Sequence, residues 1–592
     1  MRRVVLGLVL GTGVMVCANA VLAASGLPRT EAGAAGAAAP PAAAGPSFQV
    51  TLGEGVAEAA LGTVGRTGDV LDGRLYVIVT RDAGSEPREQ VMPLLPPTTP
   101  PLFGKNAQGL RPGVNVTLLP DDTEITGYPL ASIGDLPDGT YRAQAFMNVY
   151  ETFRRADGSI VQVHLPCGDG NIIFHGPGNV YSDVLPLTIR QGNARALRLV
   201  LDQVIPPVEA VPPGGTCQQG NPPESAHVKQ VKIKSDLLSE FWGRPIFVAA
   251  SVLLPRDYDA DAAARFPAVY QWGHYPTAYN PVGNPNPFGF RENGTDAFSS
   301  WWMANGTPQV IAVNFRHENA FYDTSYAVNS PNVGPYGDAL VNELMATIDA
   351  RFRTIGESWA RTSTGASTGG WQALAQQVYY PDVWGGTFAL CPDVVDFRSM
   401  YGVTDLYADE NLHYKNYEWN RVPRPHFRSP NGSLELTNPD WEQYELTLGD
   451  RSRSGQYMDM YNATWGPQGS DGYPAEAWNK RTGEIDHVVA EQWRPYDLRD
   501  HIETNWSTLA PMLAGRIHIY IGEDDGYYLE GAVKRLEASF STLDPSPDAV
   551  FEYKPDTGHC WRPFTNSALV GMMADFMAAH APAGADVTGW RQ

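Results

Sequence analysis

A chain of 592 residues with 43% hydrophobic and 18% charged side chains is too long for one core and too apolar for disorder, so two or more globular domains are expected. Its formal net charge of -22, from 65 acidic against 43 basic side chains, repels phosphate backbones and anionic membrane surfaces, which excludes nucleic acid and membrane as expected partners. The acidic balance says nothing about catalysis, since it also describes a protein kept soluble by self-repulsion.

Arg2 and Arg3 precede an apolar run over residues 4–16, followed by small residues at Ala18, Ala20, Ala23 and Ala24. This is the three-part layout of a secretory signal, so residues 1–23 are expected to be removed and the mature protein to be soluble, secreted or periplasmic. The apolar run is short for a membrane span. Val16 stands before Cys17 where a lipoprotein signal carries Gly or Ala, so lipidation is not expected. Residues 24–47 are mostly Ala, Gly and Pro and read as a flexible leader. Without Cys17, an even set of Cys167, Cys217, Cys391 and Cys560 enters an oxidising compartment. Of the three connectivities, Cys167 with Cys217 and Cys391 with Cys560 keeps each bridge inside one expected domain; four buried free thiols are the alternative.

Residues 48–205 hold short alternating runs, such as 75–79, 114–118 and 141–149, separated by turn signals at Asp138-Gly139 and Asp157-Gly158. That spacing predicts a β-sandwich domain. Residues 206–226, rich in Pro and Gly, predict a linker. The region 227–583 then reads as an α/β domain: an antiparallel pair over 228–235 and 246–254, buried strands over 266–272 and 309–315, and a helix over 338–352. Strands alternating with helices predict a mainly parallel sheet covered on both faces. About residues 392–509 form an insertion without β-α alternation, of a size that suits a lid or a structural cap.

The strongest motif is Gly365-Ala366-Ser367-Thr368-Gly369-Gly370, a G-x-S-x-G nucleophile elbow. A serine at a tight strand-to-helix turn needs small residues two positions either side, where side chains would meet the neighbouring strand and helix. A serine hydroxyl also needs a base, and the base an acid to hold its tautomer. In the α/β-hydrolase chain order the acid comes next, and the run Glu523-Asp524-Asp525 follows a late strand at 517–521. Asp525 is the choice, with Glu523 and Asp524 open, because spacing does not separate three consecutive acids. His559, in Asp556-Thr557-Gly558-His559-Cys560-Trp561, is the expected base. The backbone NH groups of Thr368 and His274 are the candidate oxyanion donors. Arg316-His317, Trp301-Trp302 and Tyr527-Tyr528 fall in predicted loops at the active end of the sheet and suit either the substrate pocket or the packing of the cap. No metal-ligand spacing or phosphate loop is present, so no cofactor or metal is expected.

From about residue 228 to 580 the chain resembles the putative esterase family related to esterase D and feruloyl esterases, on residues 266–273, Tyr336-Gly337-Asp338, the 364–371 elbow, 522–529 and Gly558-His559-Cys560-Trp561. That resemblance implies a G-x-x-D acid, which falls on Asp525. Cys560 directly after the histidine is also similar to tannase-like enzymes, but Ala366 stands where they carry the partner cysteine. The implied function is a secreted serine esterase acting on a small-molecule or polymer-linked ester. The alternatives are a serine peptidase or amidase of the same fold and an inactive secreted binding protein.

Overall fold

The computed structural model describes residues 45–91, 98–170, 173–190, 196–207, 216–217, 223–274 and 284–590. The expected signal, nearly all of the leader and much of the expected linker lie outside the described residues. Among the described residues no helix is long and apolar enough to cross a membrane.

The amino-terminal strands differ from the expected two-layer sandwich. Nine of them hydrogen-bond into one sheet, while Glu151–Arg154 and Ile160–Val163 form a separate hairpin; the inward residues of the large sheet, among them Phe48, Val50, Leu75, Val77, Ala145 and Met147, meet in one core. Alternation in sequence identifies the buried face of a strand but not how the strands close. The single sheet depends on Ser47–Leu52 running parallel to Ala196–Val204, a pairing of the two ends of the segment that no local pattern announces.

The other face of this sheet is covered by a helix from far along the chain. Tyr76, Ile78, Tyr128 and Phe146 pack with Tyr444 and Leu448 of the helix Asn438–Leu448. The last carbonyls of a helix have no partner within it. Here buried Arg74 donates to the carbonyls of Leu446 at 2.9 Å and Thr447 at 3.1 Å, and the Tyr76 hydroxyl donates to that of Leu448. Tyr128 and Tyr444 meet edge to face at 5.2 Å, a contact worth about 0.5–1.5 kcal/mol beyond its burial.

The second sheet has eight strands: β1 (Val228–Ser235), β2 (Ile246–Leu253), β3 (Ala268–Trp272), β4 (Ile311–Arg316), β5 (Arg361–Ala366), β6 (Gly386–Leu390), β7 (Ile517–Gly522) and β8 (Val550–Lys554). Their order is β1-β2-β4-β3-β5-β6-β7-β8, with β1 and β2 antiparallel to their neighbours and β3 to β8 parallel. The residues of β4, β5 and β6 are almost all buried, as continuous runs covered on both faces should be. The chain runs from β3 to one side and returns to its other side at β5. The carboxyl ends of these two strands therefore adjoin at a switch point, where open α/β sheets bind ligands.

Between β6 and β7 lie two hairpins and the helices Asn438–Leu448, Tyr457–Trp465 and Leu498–Leu513. The first two helices are tied by Lys480, whose buried ammonium donates to Glu445 at 2.6 Å, lies 3.1 Å from Glu442 and also meets Asp459. Burial, opposed by the Lys480 ammonium but joined by the charges of Asp459 and Glu442, pushes nearby Glu476 up to about 7. Leu498–Leu513 instead packs on the helix Thr368–Tyr379 and leads directly into β7, so it continues the β-α alternation although it begins within residues 392–509.

Candidate active site

Ser367 sits between the end of β5 and the helix Thr368–Tyr379. Its φ of 58° and ψ of -123° are strained for a residue with a Cβ, and such strain persists only where the surroundings over-determine it. The glycines of the motif show what those surroundings are. A Cβ on Gly365 would overlap the backbone of Gly369, and one on Gly369 would overlap the carbonyl of Trp272 at the end of β3. These contacts press the helix start against two strand ends and hold the serine at the apex between them.

The expected partners converge on it. The Ser367 hydroxyl lies 3.0 Å from His559 Nε2, and His559 Nδ1 lies 2.7 Å from Asp525 Oδ2. With Nδ1–H donating to the carboxylate, Nε2 is left to accept the serine proton. Asp525 is fully buried, and its second oxygen accepts the Tyr527 NH at 2.9 Å. Of the other two acids in the run, Glu523 pairs with Lys534 at 3.0 Å, and Asp524 donates its backbone NH to the Thr557 carbonyl at 2.9 Å. Burial pushes the His559 pKa down, but the charge and hydrogen bond of Asp525, helped by Asp393, outweigh it and leave the imidazole above its usual 6.5.

Asp393, which the sequence reading passed over, adjoins the nucleophile. It follows β6, and its Oδ1 lies 3.3 Å from the Ser367 hydroxyl. Its Oδ2 accepts from the Tyr326 hydroxyl at 2.6 Å, the Thr368 hydroxyl at 2.9 Å and the Tyr461 hydroxyl at 3.3 Å. An acid just beyond the carboxyl end of a central parallel strand was the available signal.

Thr368 opens the helix directly after Ser367, and His274 follows Gly273 in the turn after β3. The His274 side chain forms a pair of its own: Nδ1 lies 2.8 Å from Asp323. Burial opposes its charge, yet Asp323 raises its pKa above the usual value. Among the aromatic clusters, Tyr527 meets His559 edge to face at 5.0 Å, while Arg428 lies over Tyr528 and donates to the Asp525 carbonyl at 3.0 Å. His317 packs edge to face on Trp272 at 5.8 Å, beside the turn that carries His274. Trp302 is buried with its NH on the Leu254 carbonyl, and Arg316 is ion-paired with Asp169 and Glu318.

Both disulfides are formed, Cys167 with Cys217 and Cys391 with Cys560. The second, with Cα atoms 5.0 Å apart and a sequence separation of 169, ties the loop of His559 to the strand end that carries Asp393. Cys391, His559 and Cys560 also cluster as a metal trio would, but two of them are spent in this bond. Replacing Cys560 by Ser is expected to cost about 2–5 kcal/mol of stability and to lower kcat with it. The thermal midpoint of the oxidised protein measures the first; a midpoint equal to wild type would refute the tether.

Residues 247–540 match a protein-family model described as putative esterase. No curated protein matches the chain. Among solved structures it is similar to a ferulic acid esterase (14% identity over 60% of this chain and 98% of that one, TM-score 0.35). It is also similar to an S-formylglutathione hydrolase from Agrobacterium tumefaciens (13% identity, 60% and 95% covered, TM-score 0.32) and to a fluorophosphonate-binding serine hydrolase of Staphylococcus aureus (11%, 59% and 98%, TM-score 0.33).

Proposed function

We propose, from the match of residues 247–540 to the putative esterase family, that the chain is a carboxylic ester hydrolase of the α/β-hydrolase fold and that hydrolysis runs through an acyl-enzyme on Ser367. The observation that supports this reading most is the line of hydrogen bonds from Asp525 through His559 to Ser367. His559 Nε2 takes the serine proton as Oγ attacks the ester carbonyl, and the buried Asp525 carboxylate stabilises the imidazolium that results. The same Nε2 then gives the proton to the departing alcohol. Water enters, loses a proton to His559 and releases the acid. Negative charge on the carbonyl oxygen is met by the NH groups of Thr368, at a helix start, and His274.

The segment between β6 and β7 acts as a cap over this end of the sheet, and the amino-terminal sheet braces it through Arg74 and Tyr76. The protein works outside the reducing cytoplasm, a reading that its two disulfides support.

A fluorophosphonate probe tests the nucleophile directly. The adduct is expected on the peptide containing Ser367, and short esters are expected to turn over faster than matched amides. Labelling elsewhere, or none in the folded protein, would contradict the reading.

A further inference from the structure

The carboxylate of Asp393 is unexplained by ester hydrolysis alone. The residue is 6% exposed, and buried carboxylates are ordinarily paired with a cation. Among the described residues Asp393 has no ion-pair partner. The two imidazoles of the site are committed to other acids, His559 to Asp525 and His274 to Asp323. Three hydroxyls, from Tyr326, Thr368 and Tyr461, hold Oδ2, which leaves Oδ1 facing only the nucleophile at 3.3 Å. A negative charge there opposes the charge that develops on the carbonyl oxygen during attack. A cation brought by the substrate removes that conflict and supplies the missing partner.

The distances leave room for a cation on the substrate. A substituent on the carbon next to the scissile carbonyl lies about 2.5 Å from the carbonyl carbon, by ordinary bond lengths, and the carbonyl carbon approaches Oγ to about 3 Å before attack. These lengths allow an amine at that position to come within hydrogen-bond reach, about 2.8 Å, of an oxygen placed as Oδ1 is.

We propose that Asp393 is a specificity-determining residue that binds a protonated amine on the carbon next to the scissile carbonyl, so that the site prefers α-amino acyl esters to neutral ones. The proposal rests on Ser367 being the nucleophile. Glycyl and propionyl esters of one alcohol test it, since they are nearly isosteric and differ in the ammonium. After division by their hydroxide-catalysed rates, kcat/KM is expected to favour glycyl about ten- to hundredfold in the wild type, the range of a charge-assisted hydrogen bond in a buried site. In Asp393→Asn the preference is expected to fall towards unity, with most of the change in KM. No glycyl preference in the wild type overturns the proposal whether or not the variant folds. A preference that survives in a folded Asp393→Asn variant, shown by fluorophosphonate labelling of Ser367, also overturns it. Failure of the wild type to label or to cleave either ester removes the acyl-enzyme reading and this proposal with it.

Discussion

Replacement of Ser367 by Ala is expected to lower kcat on any ester by about 10⁶-fold, the scale seen when the nucleophile of a serine hydrolase is removed. The elbow's other hydroxyl, on Thr368, is donated to Asp393, and the strained backbone of Ser367 and the glycine contacts around it do not depend on the serine hydroxyl. The fold is therefore expected to survive, with an unchanged thermal midpoint. Ser367 and His559 act as one unit, so His559→Ala should cost a comparable factor and the double variant little more. Active-site-titrated kcat of the three variants measures this. Additive losses, or Ser367→Ala retaining a percent of activity, would show that the hydrogen bond at 3.0 Å is not the path of the proton.

Asp525→Asn is expected to cost about 10⁴-fold in kcat with the geometry intact, because an amide NH₂ facing Nδ1 favours the tautomer that carries its proton on Nε2, where it opposes the serine. The variant should also move the pH profile. His559 works as a base only when neutral, so kcat/KM rises with pH through its titration. In the wild type that midpoint lies above 6.5, because Asp525 outweighs the effect of burial. Removing the Asp525 charge leaves burial, which favours the neutral ring, so the midpoint is expected to move to lower pH. A profile of kcat/KM against pH for both proteins reads the shift. An unmoved midpoint would mean that the neighbouring Asp393 or solvent, rather than Asp525, sets the base.

The parts of the site that were legible are those whose reasons are local. The elbow could be read because crowding at a strand-to-helix turn demands glycine at positions 365 and 369, and the structure shows the backbone atoms that impose the demand. His559 was legible from its place after the last strand. The acid was half legible: three consecutive carboxylates share one strand end, and only the fold of that turn buries Asp525 and leaves Glu523 on a lysine.

Chain order, strand periodicity and turn sterics thus determined from sequence alone that an α/β sheet carries Ser367 and His559 at one end. Three features were decided only by the tertiary structure: Asp393 set beside Ser367, a single curled sheet in place of two layers, and Arg74 closing a helix end from far along the chain. The physical reason is range. Backbone strain and burial periodicity act within a few residues and leave their mark in the adjacent sequence, whereas a carboxylate next to a nucleophile, or a guanidinium on a distant carbonyl, exists only once strands remote in the chain have paired.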